Sequence, residues 1–200
     1  MPDQSKTTVR ARIHFLFLNI GHFVDHLLPL VFASVAALTL TREWEMSYAE
    51  LIPYATPGVI AFGLGALPAG WLADRWSREK MMAIFFVGIG ISAIATAMAT
   101  TPVTMALGLF AIGLFGSIYH PVGLAMVIQG RQRTGMPLAV NGVFGNLGVA
   151  CAALFTGLLI QSSGWKAAFI WPGVVTLLLG GAYIGFLFAC RNAGPGRQSE

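Results

Sequence analysis

Six long apolar runs, parted by short stretches that hold nearly all the charge, set the pattern of this chain. They fall at about 13–40, 51–72, 81–99, 103–129, 138–161 and 167–190. Each can supply the roughly 20 apolar residues, at about 1.5 Å rise apiece, that a helix needs to cross a hydrocarbon core. The pattern predicts an all-α integral membrane protein with six transmembrane helices, and hence a lipid bilayer as its surroundings. Its parts are an N-terminal tail over 1–12, a six-helix unit over 13–190 and a polar C-terminal tail over 191–200.

The polar breaks orient the spans. Lys6, Arg10, Arg12, Arg75, Arg78, Lys80, Arg131, Arg133, Arg191 and Arg197 fall on one side, and only Arg42 and Lys166 on the other. Cationic loops stay in the cytoplasm, so the split predicts a multi-pass protein of a bacterial inner membrane with both termini cytoplasmic. The first run has the basic flank and small-residue site (Ser34-Val35-Ala36) of a signal peptide. It also carries His22, Asp25, His26 and Pro29 and outruns the about 7–15 apolar residues of such a peptide, so it is expected to remain as the first helix. The longest break, near 41–50, is acidic and aromatic, as an interfacial cap should be.

Composition narrows the class. The chain is 56% hydrophobic and 10% charged, against roughly 25% charged in a soluble domain. Its net charge of +4 lies in clusters between spans, a topology signal that argues against a nucleic-acid partner. Cys151 and Cys190 sit in apolar runs and read as packing residues. Gly142, Gly145 and Gly148 recur every third residue and predict a smooth, exposed ridge for a partner helix. Pro53, Pro57 and Pro68 predict a second helix able to bend. No nucleophile–base pair or cofactor fingerprint stands out, so neither an enzyme nor a cofactor is expected.

Chemistry is expected where polar groups interrupt the apolar runs. Asn19, His22, Asp25, His26 and Pro29 share about a third of the circumference of the first helix, a face that should look inward. Asp25 lies roughly 20 Å beyond Arg12, and His120 roughly 16 Å before Arg131, both near the bilayer midplane. An ionisable residue at that depth costs at least about 2.5–3.5 kcal/mol and is a functional candidate by default. The expected arrangement is a substrate- or proton-binding site that takes in Asn19, His22, Asp25, His26, His120, Asn141 and Asn146, with Asp25 held between His22 and His26 and facing His120. The structural alternative is that His120 only satisfies the carbonyl that Pro121 frees at Ser117. His14, near the surface, reads as interfacial. His22 and His26, at i and i+4, suit a zinc ion in geometry. Without a cysteine or another strong ligand, no metal is expected.

Between the second and third runs stands Gly70-Trp71-Leu72-Ala73-Asp74-Arg75-Trp76-Ser77-Arg78-Glu79-Lys80, five of whose eleven residues are charged. It resembles the Gly-x-Leu-Ala-Asp-Arg-x-Gly-Arg-Arg/Lys signature of major facilitator superfamily transporters, departing at Ser77 and Glu79. Ser117-Ile118-Tyr119-His120-Pro121 and Gly142-Val143-Phe144-Gly145-Asn146-Leu147-Gly148 look like the fosmidomycin-resistance branch of drug-efflux proteins. The resemblance implies alternating access by a secondary transporter, with a small-molecule substrate and drug efflux by proton antiport. It also implies a gate in which Asp74 is the latch carboxylate with Arg75 and Arg78 as its charge partners, Lys80 belongs to the same motif, and Gly70 lets helices close. Two family marks of proton coupling are absent, an arginine in the fourth helix and a glycine-proline pair in the fifth.

Family members have twelve helices in two halves related by an axis along the membrane normal, and this sequence resembles the first. A homodimer, a separate second-half polypeptide, or a truncated remnant that binds or regulates another membrane protein would each fit six helices.

Overall fold

The structure is a computed structural model that describes residues 4–192. The side chain of Lys6, and Arg197 with the tail beyond Asn192, lie outside the described residues. Among those residues six helices are long and apolar enough to cross a membrane: α1 (Val9–Glu43), α2 (Tyr48–Arg75), α3 (Arg78–Thr96), α4 (Pro102–Ile128), α5 (Gly135–Ser163) and α6 (Trp165–Asn192). All six expected spans are present, and most are longer than the apolar runs implied. The tail expected over 1–12 is helical from Gln4, and the break near 41–50 shrinks to four residues because helix continues to Glu43.

Local chemistry fixes the ends. Ser47 and Glu50 form a reciprocal capping box at the start of α2, and Thr101 and Thr104 do the same for α4, satisfying amides that a helix start leaves unpaired. Gly164 joins α5 to α6 in a single residue, at a φ of 80° that other residues rarely adopt. Two spans are irregular. α1 passes Pro29 and then widens into a π-helical turn at Ala36–Leu40. α4 breaks at Ser117 and Ile118, just before His120 and Pro121, so it runs as two segments, Pro102–Gly116 and Tyr119–Ile128.

The closest pairings are α1 with α5, α3 with α6, and α4 with both α2 and α3. α3 supplies much of the core, with Met82, Phe85, Phe86 and Ile89 against Phe32, Tyr119, Phe169 and Tyr183. α2 buries Leu51 near its start and, from Thr56 on, only Gly58, Ala61, Ala69 and Ala73. Small residues let backbones approach where lipid gives no hydrophobic drive to associate, and a Cβ on Gly113 of α4 would run into the Gly58 carbonyl.

The ridge on α5 is only partly as expected. Gly145 packs on the His22 ring and Gly148 on the Phe23 carbonyl, so α1 covers them, while Gly142 faces open space. Two of its three glycines therefore join helices of this chain, and only Gly142 is left open.

Candidate functional site

Four side chains on α1 and two on α4 and α5 meet inside the bundle. Asn19, His22, Asp25 and Asn141 are buried, and His26 and His120 are half-buried. The fully buried Asn141 connects three helices. Its Nδ2 donates to Asn19 Oδ1 at 3.0 Å and to the Tyr119 hydroxyl at 2.9 Å. The Tyr119 hydroxyl in turn donates to the Leu18 carbonyl at 2.7 Å.

The backbone carbonyl of Asn141 decides the state of His22. It lies 2.8 Å from His22 Nδ1, and since a carbonyl only accepts, Nδ1 carries the hydrogen and Nε2 keeps its lone pair. His26 Nε2 stands 3.1 Å from that lone pair and donates to it. Tyr119 stacks on His22, with ring centroids 4.9 Å apart and planes within 20°. The imidazole fits because Gly145 faces it: a Cβ there would come within 2.7 Å of the ring.

Asp25 is placed differently from expectation. His22 and His26 pair with each other rather than holding it between them. His120 Nε2 stands 3.3 Å from Asp25 Oδ2, and neither carboxylate oxygen has a hydrogen-bond partner. Burying such a group without a partner is expensive, which is a reason to expect that it has work to do. Beside it opens a cavity of ≈ 390 Å³ between α1, α2, α4 and α5, lined by Asp25 and His26 among apolar residues such as Leu30, Phe62 and Ile112.

Asn146 does not join this group. It is exposed on α5, one position beyond the buried Gly145, because 100° of helical rotation turns it away. His14 stands apart from this group, with its Nε2 3.0 Å from the Tyr183 hydroxyl on α6. Tyr119 and Gly145 were not among the sequence candidates. Their adjacency to His120 and Asn146 was the available signal, but which neighbour faces inward depends on the break in α4 and the phase of α5.

The charged loop pairs within itself. Arg78 donates to Asp74 at 2.8 Å, with both side chains exposed. Arg75 lies over the Trp71 ring at 4.2 Å and Lys80 over Trp76 at 4.9 Å, contacts suited to a membrane surface. Of the two expected partners, only Arg78 reaches Asp74. Ser77, where the signature has glycine, is extended and caps α3 by accepting from the Lys80 amide at 3.3 Å. Gly70 faces Pro121, which a Cβ would approach to 3.2 Å, so α2 and α4 pack closely there.

These features define a multi-pass helical membrane protein with a polar site inside its bundle. The family model described as Major Facilitator Superfamily matches residues 18–200. The chain belongs to the major facilitator superfamily, and its six spans correspond to one half of that fold. It is similar to a gallate transporter of Pseudomonas putida, 29% identical over 146 residues, which are 72% of this chain and 32% of the relative. It also resembles the niacin transporter NiaP of Acinetobacter baylyi, 28% identical over 82% of this chain and 38% of the relative. A third relative is the puromycin resistance protein pur8 of Streptomyces alboniger, 26% identical over 88% of this chain and 33% of the relative. The chain thus spans about a third of the length of these curated relatives. They are transporters and a resistance protein by name, in keeping with the expectation that this is not an enzyme.

Proposed function

We propose that the chain serves as the N-terminal half of a secondary active transporter that moves a small molecule by alternating access. The observation that carries this reading is the Asp25 carboxylate, buried without a hydrogen-bond partner, 3.3 Å from His120 and at the edge of the cavity. A pair of opposed ionisable groups at the meeting of α1 and α4 is suited to receive a proton or a polar group of the cargo. Asn19, His22, His26 and Asn141 complete the substrate- and proton-binding site around it.

The cavity favours a cargo with an apolar ring and one polar end, because only Asp25 and His26 interrupt its apolar wall. Relatives named for gallate, 4-hydroxybenzoate and niacin support a small aromatic acid, and those named for resistance support drug efflux by proton antiport, as in the fosmidomycin-resistance branch. The aromatic acid is our first choice. Placing the basic end of the bundle in the cytoplasm of a bacterial inner membrane follows from its excess of Lys and Arg. The pathway closes against a second six-helix unit, either another copy of this chain or a second-half polypeptide. The loop motif of Gly70, Asp74, Arg75, Arg78 and Lys80 then works as the gate between the two. The alternative, a non-transporting module that binds another membrane protein, drew on an exposed glycine ridge, and α1 covers most of that ridge.

Uptake of labelled gallate, 4-hydroxybenzoate and niacin by cells or vesicles holding the chain, with Asp25→Asn beside it, tests the reading. Saturable, protein-dependent flux that Asp25→Asn abolishes while the variant still inserts is the expected result. Equal flux from both forms would overturn the role of Asp25, and none from either, with or without a second-half partner, would overturn the transport reading for these cargoes.

A further inference from the structure

We propose that His22, His26 and His120 form a binding site for a late first-row transition dication, zinc foremost. Two imidazoles on one helix were too few ligands in the sequence, and the fold supplies the third from α4. One ligand nitrogen from each of the three lies within 4.8 Å of the other two. A tetrahedral zinc with nitrogens at about 2.1 Å holds them roughly 3.4 Å apart, and His22 and His26 are already 3.1 Å apart through their Nε2 atoms; the ion replaces the hydrogen that lies between them, and His26 takes the tautomer protonated at Nδ1. Closing the set from separations of up to 4.8 Å therefore asks for a shift of at most about 1.4 Å by His120, a half-buried side chain.

The surroundings are those of a ligand set. A metal-binding imidazole characteristically gives its other N–H to a carbonyl or carboxylate, which fixes the ring and aims the lone pair. The Asn141 carbonyl does this for His22, leaving Nε2 as the donor that faces His26. Asp25 stands on His120 as a carboxylate with no other partner, a positioning residue rather than a ligand in this set. Tyr119 and Gly145 hold the His22 ring on its two faces. A fourth coordination position is left toward the cavity, which His26 and Asp25 border and which has room for water or an oxygen donor. Three neutral imidazoles select zinc, copper, nickel or cobalt over magnesium and calcium, which prefer oxygen. Bound there, the ion would link α1 to α4 across the break in α4. The inference does not depend on the transport reading, because binding is read without flux.

The test uses the purified full chain in detergent, made without a polyhistidine tag, titrated with Zn²⁺ and with Co²⁺ as a spectroscopic probe. One ion per chain is expected, with the visible ligand-field bands of four-coordinate Co²⁺, and Mg²⁺ should not compete. Asp25→Asn should weaken Zn²⁺ binding by about 10- to 100-fold, as for an outer-shell partner. His26→Gln and His120→Gln should weaken it more, and His14→Gln not at all. Independently of any variant, Zn²⁺ should protect His26 and His120 of the wild-type chain from carbethoxylation while His14 is unaffected. Absence of stoichiometric binding, binding that survives the His26→Gln/His120→Gln double variant, or failure to protect would each overturn the proposal.

Discussion

Replacing Asn141 by alanine tests whether one buried amide holds the site together. The substitution removes the bonds of Nδ2 to Asn19 and Tyr119 but leaves the backbone carbonyl that fixes His22. Side-chain hydrogen bonds between membrane helices average about 0.6 kcal/mol and reach about 1.7, so two of them put the expected loss at about 1–3 kcal/mol. The larger part of that range applies if the orphaned Asn19 oxygen finds no water. Equilibrium unfolding of the purified chain in mixed micelles, followed by tryptophan fluorescence, measures it. A double-mutant cycle with Tyr119→Phe isolates the Asn141–Tyr119 pair, whose coupling should be about 0.6 kcal/mol. A loss below about 0.5 kcal/mol for Asn141→Ala, or a coupling indistinguishable from zero, would refute the reasoning.

Gly145→Ala forces a methyl group against the His22 ring; overpacking of this kind costs about 1–3 kcal/mol, seen in the same unfolding assay, and His22 should change its reactivity toward carbethoxylation. Thr101→Ala removes the cap of α4 and should lower stability by about 1 kcal/mol, whereas Thr100→Ala serves as the near-neutral control. Arg78→Ala breaks an exposed ion pair that bridges the end of α2 and the start of α3, worth about 0.2–1 kcal/mol, so it should shift unfolding little, and any strong loss of flux would then belong to the gate. Subunit counting of the labelled chain in a bilayer at low density should return dimers if two copies close one pathway, and monomers if the second half comes from another polypeptide.

The fold was legible because lipid makes a blunt demand. A segment such as 103–129 has to be about 20 residues long and nearly free of charge, and nothing about its neighbours is needed to see it. The polar face of α1 was legible for the same reason, since Asn19, His22, Asp25 and His26 repeat at helical spacing. Partners were harder to read. That His22 would take a carbonyl from α5, leaving Asp25 to His120 alone, depends on the relative rotation of three helices, which hydropathy does not encode. Asn146 lies one helical step away from the buried cluster for this reason. The break at Ser117 and Ile118 was within reach, because Pro121 forbids one bond of the regular ladder. Nothing comparable announced the wider turn at Ala36–Leu40, where the sequence is simply Ala-Ala-Leu-Thr-Leu.

That turn gives α1 one residue more than a regular helix would use to cover the same height. Everything after it is rotated by about 100° relative to the phase set by Asn19 and His26. The rotation brings Glu43 round to accept from Trp165 Nε1 at 2.8 Å and sets Trp44 edge-on to the same indole. The two ends of α1 are thus indexed independently: one half keeps its polar side on the interior, and the other keeps its last turn on α6. Shortening α1 by the exposed Leu38 would restore a regular helix and force a choice between the two alignments. The surplus residue acts as a vernier, letting a single helix satisfy two neighbours that no uniform winding could serve together.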